Sequence, residues 1–387
     1  MTANLAVVTL HVIIAGGGLG GLCLAQGLRQ AGISATVYER DQSAAFRPQG
    51  YRISLKATGA GALRDCLPAD LFGLAVTTSI RAATRMVFLD EQLRPGFDKP
   101  LHHEPPGPAG FGVNRLTLRE ILLTGLDVRF GKTFTHYSPA QDGRVTAHFA
   151  DGTSAVGDVL AGADGTASAV RHQLLPGAVI DELGWAIYGR TPFADWVPGV
   201  LVDTFNRITG PDGTGMSIAT CRALQSATSA AARLAPSARV TDIPGYLSWT
   251  LPLTDPLLFR ADASRLHRQA ARLVEGWHPA ARRIIAEADV PATFAVCIAS
   301  ARPVEPWPEP NVTLLGDAIH TMSPGRGDGA NIALKDAQVL LHALQRVASG
   351  SSSLAAAVRG YQAGMLQYGF QAVADSRDRP FMRAGRR

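Results

Sequence analysis

The chain has 387 residues, a formal net charge of +5 and four cysteines. This length predicts two domains, or one large α/β unit with an insertion. The positive charge is spread along the chain without a dense Lys/Arg block, which argues against nucleic-acid binding. The cysteines lie far apart and form no C-x-x-C pair, so we expect neither a disulfide framework nor a metal site, and we expect a cytoplasmic setting.

The first apolar stretch raises the question of a membrane segment. Residues 5–25 contain no Lys, Arg, Asp or Glu and are long enough to span a bilayer. A glycine cluster interrupts the stretch, and the first four residues lack the basic side chains of a signal peptide. We therefore expect no membrane span.

A glycine-rich turn organises the N-terminal part of the chain. The apolar run VIIA ends at Gly16, and Gly16, Gly18 and Gly21 form a G-x-G-x-x-G pattern that opens a helix. We expect Gly16 to allow a tight turn, Gly18 to let a pyrophosphate approach, and Gly21 to let the helix pack on the strand. Glu39 ends the second predicted strand about twenty residues further on, where a carboxylate can hold ribose hydroxyls.

The following segments predict a strand at 51–55, a helix at about 58–66 and a further helix within 111–123. Arg115 and Arg119 are spaced i, i+4 on that last helix and would share one face. Two guanidinium groups on one face suit a phosphate or the polar edge of a cofactor. Arg47 is a further cation near the glycine turn, although a solvated surface position is the alternative there.

Two more glycine-bearing turns stand between a predicted strand and a predicted helix. One contains Asp164-Gly165, and the other runs through 311–340 with Asp317 directly after Gly316. A helix N-terminus carries a partial positive charge and unpaired N–H groups. Several such turns in one chain indicate an extended ligand with phosphates at one end and a second polar or anionic group at the other.

Taken together, the three motifs resemble those of the class A flavoprotein monooxygenases. The third motif reads G-D-A-x-H-x-x-x-P-x-x-G-x-G-x-N-x-x-x-x-D-A from Gly316 to Ala337, and the resemblance covers nearly the whole chain. The stretches NRLTLREILL and YQAGMLQYGFQAV are most similar to tetracycline-degrading and polyketide-tailoring members. One departure is Asp328, where relatives often carry Gln or Glu.

The resemblance implies a fold and a domain organisation. The fold would be α/β, with a Rossmann-like FAD-binding domain of the glutathione-reductase/p-hydroxybenzoate-hydroxylase type, an inserted β-sheet substrate domain and a C-terminal helix. The implied boundaries are 1–75, 105–175 and 295–350 for the FAD-binding domain, 76–104 and 176–294 for the substrate domain, and 351–387 for the C-terminal helix.

The resemblance also implies FAD as cofactor and places residues around it. Asp317 would hold the ribityl hydroxyls and the pyrophosphate, Asp164 would serve FAD and the reduced nicotinamide, and Pro324 would lie against the isoalloxazine. Arg47 would contact the nicotinamide nucleotide, and Arg115 and Arg119 the ribityl and phosphate region. The complete implied set is Gly16, Gly18, Gly20, Gly21, Glu39, Arg40, Arg47, Arg115, Arg119, Asp164, Gly316, Asp317, Pro324, Gly325, Gly327, Gly329, Ala330 and Asn331.

In this family NADPH or NADH reduces the flavin, and a C4a-hydroperoxyflavin formed with O2 hydroxylates the substrate. The resemblance therefore implies hydroxylation of an aromatic or polyketide-like small molecule without a catalytic protein nucleophile. Candidate substrate contacts are Tyr188, Arg190, Met216 and Trp249, with ordinary sheet packing as the alternative for each.

Two other functions stay open at this stage. One is a flavin-dependent oxidoreductase that transfers no oxygen, and the other is a cyclase that uses FAD structurally. The chain is expected to be a monomer or a weak homodimer.

Overall fold

The computed structural model describes residues 9–44, 51–102 and 104–377. Its helices are α1 Leu19–Gln30, α2 Ala57–Cys66, α3 Ala69–Thr77, α4 Arg115–Leu123, α5 Ala169–Leu174, α6 Ala227–Leu234, α7 Ala263–Leu273, α8 Pro279–Ala286, α9 Asp317–His320, α10 Gly329–Ala348 and α11 Leu354–Arg377. Its strands are β1 His11–Ala15, β2 Ser34–Glu39, β3 Arg52–Lys56, β4 Arg85–Asp90, β5 Pro95–Pro100, β6 Gly110–Asn114, β7 Val128–Phe130, β8 Phe134–Pro139, β9 Val145–Phe149, β10 Ser154–Gly157, β11 Val159–Gly162, β12 Ile180–Pro192, β13 Thr204–Thr209, β14 Gly215–Cys221, β15 Tyr246–Leu253, β16 Phe294–Ala301 and β17 Val312–Leu314.

A five-stranded parallel sheet forms the centre of one half of the molecule, which we name the dinucleotide half. Its strand order is β17-β11-β1-β2-β7. Val12, Ile13 and Ile14 of β1 are all fully buried, as expected for a strand covered on both faces. The chain leaves β1 toward β2 on one side, and β11 lies on the other, so a crevice opens at the carboxyl end of β1. This architecture confirms the predicted α/β, Rossmann-like fold.

A separate seven-stranded sheet forms the second half, which we name the sheet half. Its order is β16-β12-β15-β14-β13-β4-β5, and every neighbouring pair is antiparallel except β13 and β4. One face packs on α7 and α8, where Trp249 and Met216 share a core with Leu266 and Ile284. The opposite face meets the two-stranded sheet of β3 and β6, because the ring of Tyr51, directly before β3, lies 6.0 Å from the ring of Tyr188.

The last helix contacts both halves. From α11, the Tyr361 hydroxyl donates a 2.9 Å hydrogen bond to the Leu314 carbonyl at the end of β17. The Arg377 guanidinium donates a 2.6 Å hydrogen bond to the Ser300 hydroxyl in β16. The helix therefore links the parallel sheet to the seven-stranded sheet, while the domain boundaries given above stay a prediction.

The four cysteines are free thiols. None of the helices within the described ranges combines the length and the apolar character that crossing a bilayer requires. In the same part of the chain, no group of three or more His, Cys, Asp and Glu side chains is arranged to hold a metal ion.

Candidate active site

The glycine turn after β1 is locked against the two other sequence motifs. Gly16 has a φ of +115°, and a Cβ there would lie 2.3 Å from the Ala163 carbonyl oxygen, directly before Asp164. A Cβ at Gly20 would lie 2.9 Å from Leu315 Cδ1, directly before Gly316. The three motifs therefore interlock at the carboxyl ends of three neighbouring parallel strands.

The remaining glycines of the turn differ in what surrounds them. A Cβ at Gly21 would lie 2.3 Å from the Gly16 carbonyl oxygen, so the close packing of α1 on the strand end requires glycine. At Gly18, which caps α1, the nearest atom to such a Cβ would be 4.0 Å away. This side of the turn has room for a ligand to approach the backbone.

Glu39 stands at the end of β2 with its carboxylate fixed by the backbone. Its Oε2 accepts a 2.6 Å hydrogen bond from the Gly17 amide, and its Oε1 accepts a 2.8 Å bond from the Asp41 amide. The side chain is buried, and the neighbouring Arg40 is exposed. A carboxylate oxygen has a second lone pair, so each oxygen can still accept a ribose hydroxyl.

The two arginines of α4 contact different parts of the crevice. Arg119 is buried, and its Nε and Nη1 donate to the carbonyls of Gly17, at 3.2 Å, and Ala44, at 2.8 Å. Its Nη2 lies 3.9 Å from Glu39 Oε2. Arg119 thus supports the glycine turn from beneath, and its direct contact with a cofactor stays a prediction. Arg115, one helical turn earlier, lies over the Tyr51 ring at 5.8 Å.

The Asp164 motif forms the second wall of the crevice. Asp164 Oδ2 accepts hydrogen bonds from the amides of Ala169, at 2.7 Å, and Val170, at 3.3 Å, at the start of α5. Its Oδ1 is buried and has no hydrogen-bond partner among the described residues. A buried acceptor without a donor carries a desolvation cost, so this oxygen is suited to a hydroxyl of a bound ligand.

Arg171 is the last residue of the Asp164 motif and was not among the predicted site residues. The side chain is buried, and its Nη1 and Nη2 each donate a 2.7 Å hydrogen bond, to the carbonyls of Ala318 and Thr166 respectively. Arg171 therefore connects α5 to the turn that carries Asp317. The signal that could have revealed it is a cation within the otherwise apolar start of a predicted helix.

Asp317 begins α9 after a turn that favours glycine. Gly316 has φ +62° and ψ −142°, and the Asp317 side chain is exposed. Surrounding protein atoms still reduce its hydration and thereby raise the pKa of Asp317, while His320 and Arg115 act in the opposite direction. A Cβ at Gly329 would lie 3.9 Å from Asp317 Oδ1, which places the carboxylate at the N-terminus of α10.

A buried carboxylate holds this turn in place. Asp336 Oδ2 accepts a 2.7 Å hydrogen bond from the Gly316 amide and lies 2.6 Å from His320 Nε2, and Oδ1 accepts a 2.7 Å bond from the Tyr368 hydroxyl. Burial acts to lower the pKa of His320, but the charge and hydrogen bond of Asp336 raise it, with a net upward shift. Asp336 was not among the predicted site residues, although it begins the D-A pair that ends the third motif.

The N-terminus of α10 is joined to β3. Asn331 Oδ1 accepts a 2.7 Å hydrogen bond from the Lys56 amide, and Asn331 Nδ2 donates to the Ser54 carbonyl at 3.0 Å. The Lys56 ammonium forms an ion pair with Asp328. Arg326 Nε also lies 3.2 Å from Asp328 Oδ2, so the unusual acidic residue of the third motif is paired with two cations.

The other predicted residues of the third motif occupy the segment between α9 and α10. Pro324 is exposed, Gly327 has a φ of +66°, and Gly325 and Ala330 are half-buried. The predicted contact of Arg47 lies outside the described residues. The structure thus brings together residues from all three motifs along one crevice.

The four substrate candidates divide between the two faces of the seven-stranded sheet. Tyr188 and Arg190 lie on the face that meets β3, and Arg190 donates a 2.6 Å hydrogen bond to Asp289 Oδ2. Met216 and Trp249 are fully buried on the opposite face, in the core beneath α7 and α8. Because side chains alternate along a strand, these two residues pack the sheet and do not face the crevice.

The crevice fits a dinucleotide with an extended polar midsection. It offers an accessible glycine backbone at the start of α1, two carboxylates that can accept hydrogen bonds from hydroxyl groups, and the Asp164 oxygen that has no partner among the described residues. FAD carries matching groups, namely a pyrophosphate, ribose hydroxyls and ribityl hydroxyls. The residues present are therefore compatible with FAD.

The chain matches the family model described as an FAD binding domain over residues 9–179 and 256–373. It belongs to this family. The FAD-dependent urate hydroxylase of Klebsiella oxytoca is 30% identical over 369 residues, covering 92% of this chain and 85% of the relative. The FAD-dependent monooxygenase thnD of Trichoderma harzianum is 29% identical, covering 95% of this chain and 92% of the relative.

Longer relatives match as well. The dual O-methyltransferase/FAD-dependent monooxygenase elcB of Phaeosphaeria nodorum is 32% identical over 369 residues. The match covers 86% of this chain and 40% of that protein, so the chain spans about two fifths of its length.

Solved structures show the same fold. Klebsiella pneumoniae HpxO complexed with FAD and uric acid superimposes with a TM-score of 0.74 at 26% identity, covering 96% of this chain and 87% of that chain. The tetracycline destructase Tet(51) shares the fold with a TM-score of 0.69 at 14% identity, covering 98% of this chain and 93% of that chain.

Proposed function

We propose that the protein is an FAD-dependent monooxygenase that uses NADPH or NADH and O2 to hydroxylate an aromatic or polyketide-like small molecule. The observation that carries the proposal is the interlocked crevice beside a sheet face. Gly16 packs on the Asp164 motif and Gly20 on the Asp317 motif, while the Tyr51 ring, directly before β3, lies 6.0 Å from the Tyr188 ring. Relatives named FAD-dependent monooxygenases support the reaction class.

In this proposal the residues of the crevice bind and orient, since bound FAD would supply the redox chemistry and the activation of O2. Glu39 would accept ribose hydroxyls, and its two bonds to backbone amides fix its orientation beforehand. Asp317 and Asp164 would accept hydroxyls further along the cofactor. Arg119 would hold the glycine turn in the geometry that receives the pyrophosphate.

The N-terminus of α10 would provide electrostatic stabilisation. Its partial positive charge favours negative charge that develops close to the helix end. Asn331 fixes this end to β3 through hydrogen bonds to the Lys56 amide and the Ser54 carbonyl. Asp328 pairs with both Lys56 and Arg326, so two cations and one carboxylate lie beside this helix end and add to its positive potential. Residues Pro324, Gly325, Gly327, Gly329 and Ala330 would form the surrounding backbone.

Substrate would lie between the crevice and the face of the seven-stranded sheet that carries Tyr188. Burial raises the pKa of Tyr188 to about 12, so its hydroxyl is neutral near pH 7 and can donate a hydrogen bond. Arg190 is paired with Asp289 and would support the same wall. Met216 and Trp249 are left out of the proposed contacts because they are buried on the opposite face.

Incubation under isotopically heavy O2 tests the reaction class. The FAD-loaded protein is supplied with NADPH or NADH and a panel of hydroxynaphthalenes and hydroxyanthraquinones, and product masses are measured. We expect a product that gains one oxygen atom derived from O2. Consumption of NAD(P)H with hydrogen peroxide as the sole product would support an oxidoreductase without oxygen transfer. Substrate conversion without NAD(P)H would support a structural use of FAD in a cyclase.

A cytoplasmic location and a monomeric or weakly dimeric state stay predictions of the sequence. Free cysteines agree with a reducing compartment. Gel filtration with light scattering measures the oligomeric state directly.

A further inference from the structure

A row of paired residues crosses the whole seven-stranded sheet on the face that meets β3. Each member is the registered partner of the next, in the order Phe294, Tyr188, Thr250, Ser217, Arg207, Phe88 and Phe97. Neighbouring strands are about 4.8 Å apart, so Tyr188 and Arg207, which are separated by two strands, lie roughly 14 Å apart.

The side chains in the middle of this row are small, and those at its flanks are large, so the face has a depression between the flanks. Thr250 and Ser217 are small, and so are the residues beside them on the same face, Ser248 and Ala219. On one flank the rings of Tyr188 and Phe294 stack with their centroids 5.8 Å apart. We name this depression the sheet trough, with Ser217, Ala219, Ser248 and Thr250 as its floor and with Tyr188 and Arg207 as its flanks.

The sheet trough adjoins the candidate cofactor crevice. The Tyr51 ring lies 6.0 Å from the Tyr188 ring and 6.1 Å from the Phe294 ring. The guanidinium of Arg115 lies 5.8 Å from the centroid of the same Tyr51 ring. Its positive charge acts to lower the pKa of Asp317. A molecule in the sheet trough would therefore lie beside the residues that surround the proposed flavin position.

Arg207 differs from the other arginines within the strands of this sheet. Arg85 is paired with Asp98, and Arg190 is paired with Asp289. Arg207 is half-buried, and Nη1 donates a 3.2 Å hydrogen bond to Ser217 Oγ. Within the described ranges, no carboxylate lies close enough to form an ion pair with it.

An arginine in this position carries an electrostatic cost. Burial lowers the pKa of Arg207, because the charged form has lost part of its hydration. Partly desolvated charges are normally paired, and a guanidinium forms short, charge-assisted bonds with carboxylates and other oxygen anions. The geometry on this flank of the sheet trough is thus complementary to an oxygen anion.

We propose that Arg207 binds an acidic oxygen group, a carboxylate or phenolate, of a planar aromatic substrate whose rings lie in the sheet trough between Tyr188 and Arg207. The inference rests on the proposed function, because that function places the substrate on this face of the sheet. It narrows the substrate class to aromatic molecules that are anionic at one end. The Ser217 hydroxyl holds the guanidinium at this flank by accepting a hydrogen bond from Nη1, and the lack of a side chain at Gly215 leaves room for Nη2.

The test compares a charged probe with a neutral probe of the same shape. An anthraquinone carboxylate and the matching carboxamide are titrated into the FAD-loaded protein by calorimetry, without NAD(P)H. Wild-type protein, Arg207→Met and Arg207→Gln are compared with Arg265→Met, which removes an exposed arginine from α7 behind the sheet. FAD content and melting temperature are recorded for every variant. Two different substitutions are made at Arg207, so that the comparison still stands if one of the two variants does not fold.

We expect wild-type protein and Arg265→Met to bind the carboxylate at least about tenfold more tightly than the carboxamide. Both Arg207 variants should lose about tenfold or more in affinity for the carboxylate and retain their affinity for the carboxamide within about twofold. Equal binding of the two probes by wild-type protein, equal weakening of both in the Arg207 variants, or no binding of either probe would overturn the proposal.

This titration is independent of turnover. An anion preference that disappears with Arg207 would stand even if no oxygen were transferred to any substrate. Conversely, oxygen transfer could be demonstrated with a neutral substrate while the titration shows no preference. Failure of the Arg207 proposal is therefore distinguishable from failure of the proposed monooxygenase function.

Discussion

The dinucleotide half and the sheet half define their parts of the site by different physical means. In the dinucleotide half, positions are set by the backbone, as at Gly16 and Gly21, where any Cβ would meet a carbonyl oxygen at 2.3 Å. In the sheet half, positions are set by strand pairing, which decides whether a side chain such as Tyr188 or Trp249 faces the crevice or the helices. A close backbone approach therefore restricts a position to glycine. Strand pairing decides only which face of the sheet a side chain lies on and leaves the residue type open.

The largest effect is expected in the dinucleotide half, at the buried Asp336. Asp336→Asn should lower the free energy of unfolding by about 3–5 kcal/mol, because it leaves His320 buried without its counter-charge. Chemical denaturation of the FAD-loaded protein measures this loss. Asp375→Asn on α11, whose carboxylate contacts only the Gln371 side chain in the described structure, is the matched control. A loss no greater than that of the control would contradict the account of this network.

The same network predicts a pH dependence. The folded state raises the pKa of His320 above 6.5, so protonated His320 contributes stability that is fully present below that pH. This contribution should be lost as the pH rises through the raised pKa. Denaturation midpoints measured between about pH 6 and 9 should therefore fall in wild-type protein more steeply than in Asp336→Asn. Parallel pH profiles for the two proteins would argue against a charged His320.

A smaller loss is expected from overpacking the glycine turn. Gly21→Ala should cost about 1–3 kcal/mol and weaken FAD retention, because the new Cβ would force α1 away from the Gly16 carbonyl. Gly61→Ala in α2 is the control, since a Cβ there meets nothing within 4 Å. That substitution should instead raise the unfolding free energy by about 0.5–1 kcal/mol. Thermal melts with parallel FAD release assays check both changes.

We expect a substitution at Asp317 to weaken FAD binding without lowering the stability of the FAD-free protein. Asp317→Ala should weaken FAD binding by about tenfold or more, because charged acceptors for the cofactor hydroxyls are lost. The FAD-free variant should be no less stable than FAD-free wild type, since the raised pKa of Asp317 shows that its charged form is disfavoured there. Asp195→Ala, at another exposed carboxylate, is the control. Unchanged FAD affinity would remove Asp317 from the site.

The smallest changes in unfolding free energy are expected from substitutions on the two faces of the seven-stranded sheet. Trp249→Phe should lower the unfolding free energy by about 1–3 kcal/mol, because it removes buried volume and the 3.1 Å hydrogen bond to Thr191 Oγ1. Tyr188→Phe should change stability by less than about 0.5 kcal/mol, since it leaves the half-buried ring in place. Affinity for the anthraquinone carboxylate should be unaltered in Trp249→Phe. Weaker ligand binding in that variant would place Trp249 at the substrate after all.

The difference between the two halves explains which site residues could be predicted from the sequence. The glycine turn, Glu39, Asp164 and Asp317 were identified because strand, glycine and acidic residue follow one another at fixed spacing. Asp336 belongs to the same motif, but its role is shown only by its contacts with two segments, namely Gly316 and His320 at the two ends of α9 and Tyr368 in α11.

The sheet half could not be predicted to the same depth. Both faces of the seven-stranded sheet are covered, one by α7 and α8 and the other partly by the two-stranded sheet of β3 and β6, so apolar side chains occur on both. Alternation along a strand therefore does not say which face receives a ligand. Met216 and Trp249 were chosen by residue type and lie on the packed face. Arg207 was not singled out, because its distinctive feature is that no carboxylate of the described residues pairs with it, and a sequence does not show such spatial pairing.

The most direct measurement is reduction of the bound flavin by NAD(P)H. The FAD-loaded protein is mixed without oxygen with NADPH or NADH, with and without an aromatic ligand, and the visible flavin absorbance is followed before O2 is admitted. We predict that one nicotinamide cofactor bleaches the flavin and that O2 then restores the absorbance while the ligand gains one oxygen atom. A flavin that neither cofactor bleaches, even with a verified ligand present, would contradict the proposed monooxygenase.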